Sequence, residues 1–214
     1  MISSKYLVSP LIFTFFSISM AASAQPDPFK RYTSMAEALK KPALVRFLDL
    51  SNQQLTAVPP SIARLTNLNE LSLQDNKLTR LPPEIGKLTK LTKLYVNGNQ
   101  LRSLPPEIGA LTKMELLVVS DNELTSLPPQ IGKLTQLDTL MAEHNQLATL
   151  PAEIGNLQKL DSILILKNPI TTLPSQMSKL KHLREIIIGV YKLTDLEKNK
   201  IKQMLPNTSI AYGP

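Results

Sequence analysis

Cysteine and tryptophan are both absent from the 214 residues, and aromatic side chains make up only 5 % of the chain. Without cysteine there is no disulfide framework, no thiolate metal site and no cysteine nucleophile. So few aromatic side chains leave no series of stacking platforms for single-stranded nucleic acid. Glycine is also scarce, with seven residues, and no Gly-rich phosphate-binding loop occurs. The composition therefore excludes several common catalytic and binding classes.

Long apolar runs are missing except near the N-terminus. Lys5 is the only charged residue among the first 24, an apolar stretch covers residues 7–20, and Ala-Ala-Ser-Ala precedes Gln25. This pattern predicts a secretory signal peptide at residues 1–24 and a protein that is secreted, periplasmic or at the cell surface. An N-terminal membrane anchor is the alternative, but the run is shorter than the about 20 residues of a typical span. The mature chain contains no other candidate span.

A repeat with a period of 23 residues dominates the rest of the chain. It is marked by five asparagines, Asn76, Asn99, Asn122, Asn145 and Asn168. Leucines precede each asparagine in the pattern L-x-x-L-x-L-x-x-N-x-L, and L-P-x-x-I-G-x-L follows, as in residues 68–88. Fixed periods of this length are typical of solenoids.

This frame resembles the leucine-rich-repeat proteins, and within them the 23-residue subtype of many bacterial exported proteins and Ras-group scaffolds. The resemblance implies an α/β solenoid with a parallel β-sheet on its concave face and helical caps at both ends. It also implies that the strand side chains pointing away from the core line the concave face. Because the core positions are structural, we expect function to lie on these variable positions.

The residues of the frame account for such a fold. Leucines two apart, such as Leu71 and Leu73, point to one side of a strand, and stacked copies bury them together. Each repeated asparagine can satisfy backbone donors and acceptors in the turn after the strand. The four repeated glycines are expected to adopt positive φ; they are Gly86, Gly109, Gly132 and Gly155.

We expect four segments along the chain. A signal peptide (1–24) precedes an N-terminal helical cap (25–44), about seven repeats (45–193) and a C-terminal cap of a helix and a final strand (194–214). Two capping boxes, Ser-Met-Ala-Glu from Ser34 and Thr-Asp-Leu-Glu from Thr194, mark the starts of the cap helices.

One outward-facing position is apolar in five consecutive repeats. It lies between the two strand leucines, and the seven copies read Asp49, Ser72, Tyr95, Val118, Met141, Leu164 and Ile187. Leu116 and Leu166 lie beside this column. Contiguous apolar surface of this kind commonly marks a binding site. We therefore predict that Tyr95, Leu116, Val118, Met141, Leu164, Leu166 and Ile187 bind a protein partner.

Polar residues are expected to form a rim around that surface. They are Glu70, Lys93, Asn97, Asp121, Glu143, His144 and Lys167. Other interpretations remain open: the apolar column is covered by the chain itself, is a surface for weak self-association of an otherwise monomeric protein, or reflects β-propensity alone. Glycan binding or surface adhesion, through Tyr95 and its polar neighbours, is the alternative function, and a structural role in the envelope is a third.

No catalytic or metal-binding constellation is apparent, so we expect a protein that is not an enzyme and needs no cofactor. The two histidines, His144 and His182, occupy different repeat positions and are not expected to meet.

The formal net charge is +7. Six lysines of the return segments are interspersed with glutamates, which we interpret as a solvated convex face, and we expect no nucleic-acid partner; the lysines are Lys87, Lys90, Lys133, Lys159, Lys179 and Lys181.

The signal-peptide hypothesis makes one direct prediction. Because Ala22 and Ala24 form a small-x-small cleavage sequence, the protein isolated from its source cell should begin at Gln25 or an adjacent residue. N-terminal sequencing or intact-mass measurement checks this, and a mature protein that retains residues 7–20 would contradict it.

Overall fold

A single parallel β-sheet runs the length of the molecule in the computed structural model, which describes residues 27, 29–189 and 193–213. The predicted signal peptide lies outside the described residues. The sheet has nine strands in sequence order: β1 (Arg31–Tyr32), β2 (Phe47–Asp49), β3 (Glu70–Ser72), β4 (Lys93–Tyr95), β5 (Leu116–Val118), β6 (Thr139–Met141), β7 (Ser162–Ile165), β8 (Glu185–Gly189) and β9 (Ser209–Gly213).

Short 3-10 helices form the side of each coil opposite the sheet. They comprise Pro42–Leu44, Pro60–Arg64, Pro83–Lys87, Pro106–Ala110, Pro129–Lys133, Ala152–Asn156 and Ser175–Lys179. The part of the chain that the structure describes also contains two α-helices, α1 (Met35–Ala38) and α2 (Asp195–Met204). The predicted solenoid with a parallel sheet and helical caps is confirmed.

The Leu-Pro-Pro sequences set the conformation of the return segments. Pro82 is extended, with φ −73° and ψ 149°, and Pro83 occupies the first position of the 3-10 helix. Proline is suited to both positions, because its ring fixes φ and a missing N–H costs nothing where a helix begins. The 3-10 helix then closes with the bond from Leu88 N–H to the Ile85 carbonyl, at 3.1 Å.

Both cap helices begin with the predicted capping interaction. Ser34 Oγ accepts a hydrogen bond from Glu37 N–H at 3.2 Å, and Thr194 Oγ1 accepts one from Glu197 N–H at 3.2 Å. The N-terminal segment also contributes β1, which pairs with β2 and was not anticipated from the sequence. Two residues without a leucine frame provide too little pattern to predict a strand.

The core consists of columns of apolar side chains that stack from coil to coil. The second residue of every strand from β2 to β8 is fully buried; these residues are Leu48, Leu71, Leu94, Leu117, Leu140, Ile163 and Ile186. Burying a side chain of this size stabilises the fold by about 1.5–3 kcal/mol. From β2 to β8, each residue pairs with the residue 23 positions later in the next strand, so equivalent side chains lie directly beside one another.

The repeated asparagines connect successive coils inside the turns. Asn122 Oδ1 accepts a hydrogen bond from Leu101 N–H at 2.9 Å, while its Nδ2 donates to the carbonyls of Val96, Val119 and Ser120 at 2.9–3.1 Å. The same pattern recurs at Asn99, Asn145 and Asn168, and all of these side chains are buried. Each amide therefore satisfies backbone groups of its own coil and of the preceding one.

The expectation of positive φ at the four repeated glycines is wrong. Gly98 is the only glycine with positive φ among the described residues. The repeated glycines are instead needed because neighbouring coils approach closely. A Cβ on Gly86 would lie 2.8 Å from the carbonyl oxygen of Glu107, and one on Gly132 would lie 2.5 Å from that of Glu153. These contacts involve backbone atoms, so a side chain there would force the coils apart.

Replacing Asn122 with alanine should lower the free energy of unfolding by about 2–4 kcal/mol. The change removes four hydrogen bonds and leaves the N–H of Leu101 buried without a partner. Urea unfolding measures the loss. Gln100→Ala, at an exposed position of the preceding turn, is the control and should leave the free energy of unfolding nearly unchanged. Equal stability of Asn122→Ala and the wild type would contradict the proposed bonding role.

Candidate functional site

The predicted apolar column is continuous in the structure. Ser72, Tyr95, Val118, Met141, Leu164 and Ile187 are direct partners in the register of successive strands. Strands in a sheet lie about 4.8 Å apart, so the five apolar members form a strip about 19 Å long. We call these five residues, Tyr95, Val118, Met141, Leu164 and Ile187, the apolar column.

The apolar column is flat rather than protruding. All five side chains are half-buried, because each is covered on two sides by its neighbours in the adjacent strands. The exposed large apolar residues among those described lie in the caps instead: Phe29, Leu44 and Leu196 are 78 %, 40 % and 64 % exposed. The apolar column thus offers one continuous surface of half-buried side chains.

The equivalent outward positions of β2 and β3, before the apolar column begins, are polar: they are Asp49 and Ser72. Asp49 Oδ1 accepts hydrogen bonds from Ser51 N–H at 3.1 Å and from Ser51 Oγ at 2.6 Å. Burial raises the pKa of Asp49, but the bonds from Ser51 and the charge of Arg31 outweigh it, so the pKa lies below its ordinary value. The apolar surface therefore ends at an ionised carboxylate beside the buried Ser72.

A second outward-facing column precedes the apolar column by two residues in every strand. It contains the rim residues Glu70 and Lys93, then Leu116, which aligns with Thr139 of β6. Leu116 is half-buried and extends the apolar surface sideways at β5. Glu70 does not stand free on the rim: it forms an ion pair with Arg31 of β1 at 2.8 Å and is only 16 % exposed. That contact joins the N-terminal cap to the repeats.

Leu166 and the rim residues Asn97 and Glu143 follow the strands on the other flank. Asn97 and Glu143 are half-buried, and Glu143 N–H donates to Ser120 Oγ at 3.2 Å. Leu166 packs close to Gly213 in β9, where an added Cβ would meet the end of the leucine side chain. Strand β9 therefore covers part of Leu166. Beside Ile187, the same strand extends the sheet, with Ala211 as the next residue in the row.

The remaining rim residues share a backbone feature that sequence analysis missed. Asp121, His144 and Lys167 have φ of 54°, 51° and 51°. Their equivalents in earlier repeats, Asn52, Asp75 and Gly98, have φ of 56°, 55° and 66°. The signal was present in the sequence, since Asn, Asp and Gly are the residues that most readily adopt the left-handed region. These six residues form a row of turn positions directly before the asparagine ladder.

The left-handed turns aim their side chains along the rim. His144 Nδ1 lies 3.4 Å from Asp121 Oδ1, and both side chains are substantially exposed, at 44 % and 58 %. His182 lies in the turn before β8, on the opposite edge of the solenoid, so the two histidines do not form a pair. Among the described residues, no group of three or more His, Asp or Glu side chains could hold a metal ion.

The chain belongs to the leucine-rich-repeat family. A family model described as "Leucine-rich repeat region" matches residues 32–119 and 94–207. No curated protein sequence matches significantly.

Solved structures with similar folds include two plant receptors. One is the plant peptide hormone receptor RGFR1 in complex with RGF2, with 37 % identity, a TM-score of 0.61 and coverage of 66 % of this chain and 24 % of the receptor. The other is the leucine-rich-repeat ectodomain of the Arabidopsis thaliana receptor kinase GASSHO1/SCHENGEN3 in complex with CASPARIAN STRIP INTEGRITY FACTOR 2. It has 30 % identity, a TM-score of 0.67 and coverage of 85 % and 22 %. The chain therefore spans about a quarter of the length of these receptors.

Lys167→Gly should raise the free energy of unfolding by up to about 1 kcal/mol. A left-handed conformation costs an L side chain about 1–2 kcal/mol, part of which is offset by the greater freedom of glycine in the unfolded chain. Lys167→Ala is the matched control, because it removes the same charge but keeps the Cβ. Urea unfolding compares them, and an equal gain in both variants would mean that the lysine side chain, not φ, was responsible.

Proposed function

We propose that this protein is an exported, non-catalytic recognition protein that binds a protein or peptide segment on the outer face of its sheet. The observation that carries the proposal is the apolar column, which keeps apolar side chains at an outward position in five successive strands. Nothing in the repeat frame requires apolar residues there, since the core is filled by the inward columns. The 23-residue LPxxIGxL subtype, with its bacterial exported members, fits this function.

The dimensions of the face suit an extended segment. A strip about 19 Å long matches roughly six residues of extended chain at 3.3 Å per residue. Tyr95 and Met141 are residue types enriched at protein interfaces. The two flanking columns add Leu116 on one side and Asn97 and Glu143 on the other, which provides hydrogen-bonding groups beside the apolar strip.

The structural neighbours support the same class of function. RGFR1 is a peptide hormone receptor in complex with RGF2, and the GASSHO1/SCHENGEN3 ectodomain is in complex with CASPARIAN STRIP INTEGRITY FACTOR 2. We infer recognition of a polypeptide from the likeness of the scaffold together with the apolar column of this chain. The identity of the ligand does not transfer, because the side chains of the face determine it.

Charged substitutions on the apolar column should abolish partner binding. The variant Tyr95→Asp, Val118→Lys, Met141→Glu places three charges on the strip, and its net charge differs from the wild type by only one unit. The matched control, Thr56→Asp, Thr79→Lys, Thr125→Glu, introduces the same charges at exposed positions off the sheet face. Circular dichroism must first show that all three proteins are folded, and sizing gives the oligomeric state of each.

Immobilised proteins are then used to capture partners from extracts of the source cell and its surroundings. A protein retained by wild type and control but lost by the column variant, with affinity lowered at least about tenfold, supports the proposal. Equal retention by all three proteins, or none by any, contradicts it. A wild-type dimer that dissociates only in the column variant would show self-association instead, and retention of glycans alone would favour the glycan-binding alternative.

A further inference from the structure

One edge of the solenoid carries the net positive charge. We define the basic edge as the six turn segments that lead from the 3-10 helices into the strands: 64–69, 87–92, 110–115, 133–138, 156–161 and 179–184. They contain nine lysines and arginines and three carboxylates. The corresponding segments after the strands, from 74–81 to 166–173, hold four basic and four acidic residues and are neutral. The excess of positive charge therefore lies on one edge, and the other edge is neutral.

The interpretation of these lysines as part of a mixed, solvated convex face is incomplete. The glutamates lie in the first turn of the 3-10 helices, such as Glu84 and Glu107, whereas the lysines lie at the helix ends and in the following turns. All nine basic residues of the edge are exposed. The three carboxylates stand directly before β5, β6 and β7, toward the sheet, and one of them, Asp161, is paired with Arg184. The outer part of the edge is thus cationic.

Equivalent positions of the basic edge lie side by side in space. Lys90 Nζ donates to Asn67 Oδ1 and Lys159 Nζ to Gln136 Oε1, both at 2.6 Å, and each bond joins residues 23 apart in sequence. The six segments therefore extend over about 24 Å at the spacing of the strands. Seven of the nine charges form two rows, one at the 3-10 helix ends and one three residues later, rather than converging on a single pocket. The other two, Lys181 and Arg184, lie near the C-terminal end of the edge.

We propose that the basic edge adsorbs the protein onto an anionic lipid bilayer surface. Seven of the nine basic residues are lysines, whose ammonium groups act as point charges and need no fixed partner geometry. The edge contains no Phe, Tyr or Trp and a single imidazole, His182, so it offers no series of stacking platforms for nucleotide bases. It also presents no exposed large apolar side chain for insertion. Lysines spread over a wide surface suit an anionic bilayer, whose phosphate groups are spread in the same way. Each basic residue near such a surface adds to the electrostatic attraction.

This orientation leaves the apolar column accessible. The basic edge lies at the side of the sheet, and none of its charges belongs to the outward columns of the strands. A protein adsorbed through this edge would hold its sheet face at an angle to the bilayer rather than against it. Adsorption and partner binding are therefore separable, and failure of one does not imply failure of the other.

Vesicle sedimentation with the purified protein tests the proposal. The probes are phosphatidylcholine vesicles with and without phosphatidylglycerol. The edge variant is Lys90→Glu, Lys113→Glu, Lys159→Glu. The matched control, Lys77→Glu, Arg80→Glu, Arg102→Glu, makes the same change in net charge on the opposite edge. Circular dichroism verifies both folds, and Lys→Gln versions of the edge changes serve if the glutamate variant does not fold.

We expect binding only to vesicles that contain phosphatidylglycerol, weakened by salt, with a partition coefficient at least about a hundredfold lower in the edge variant. The control and the apolar-column variant should bind nearly as wild type. Equal binding to both vesicle types, or an equal loss in edge and control variants, would overturn the proposal. So would binding to soluble polyanions such as single-stranded DNA or dextran sulfate without binding to the anionic vesicles.

Discussion

The asparagine ladder is the interaction on which the rest of the structure depends. A coil that reverses direction inside a stacked array must bury backbone N–H and C=O groups that no strand or helix satisfies. One amide side chain satisfies both kinds of group, because it carries a donor and an acceptor. Asn122 bonds to its own turn and to the turn before it, so each asparagine fixes the spacing and the register of two coils at once.

Exact stacking separates the residues that build the solenoid from those that are free to vary. The inward columns and the asparagine ladder fill the core. Glycines such as Gly132 allow the 3-10 helices of neighbouring coils to approach closely. The outward positions of the strands and the exposed positions of the two edges carry no such packing constraint. The apolar column and the basic edge occupy different sets of these positions, which is why one scaffold can offer two independent surfaces.

Much of the candidate site followed from the sequence. The period placed Tyr95, Val118 and Met141 in one column, and the register of the sheet confirms that alignment. Other features depended on contacts between segments that no local pattern reveals. The ion pair of Glu70 with Arg31 joins residues 39 apart, and Leu166 meets Gly213 at the C-terminal end of the sheet. The prediction for the repeated glycines was wrong because glycine is required there by the close approach of a neighbouring coil, not by a positive φ.

The sequence by itself determined the repeat, the strand columns, the asparagine ladder and the capping boxes. Each of these rests on a spacing between residues that the backbone geometry of strands, turns and helix starts converts directly into position. Only the tertiary structure decided how exposed the apolar column is, which rim residues are already bonded, and that the basic residues gather on one edge. Exposure, pairing and charge separation are properties of surfaces, and a surface exists only after the coils have stacked.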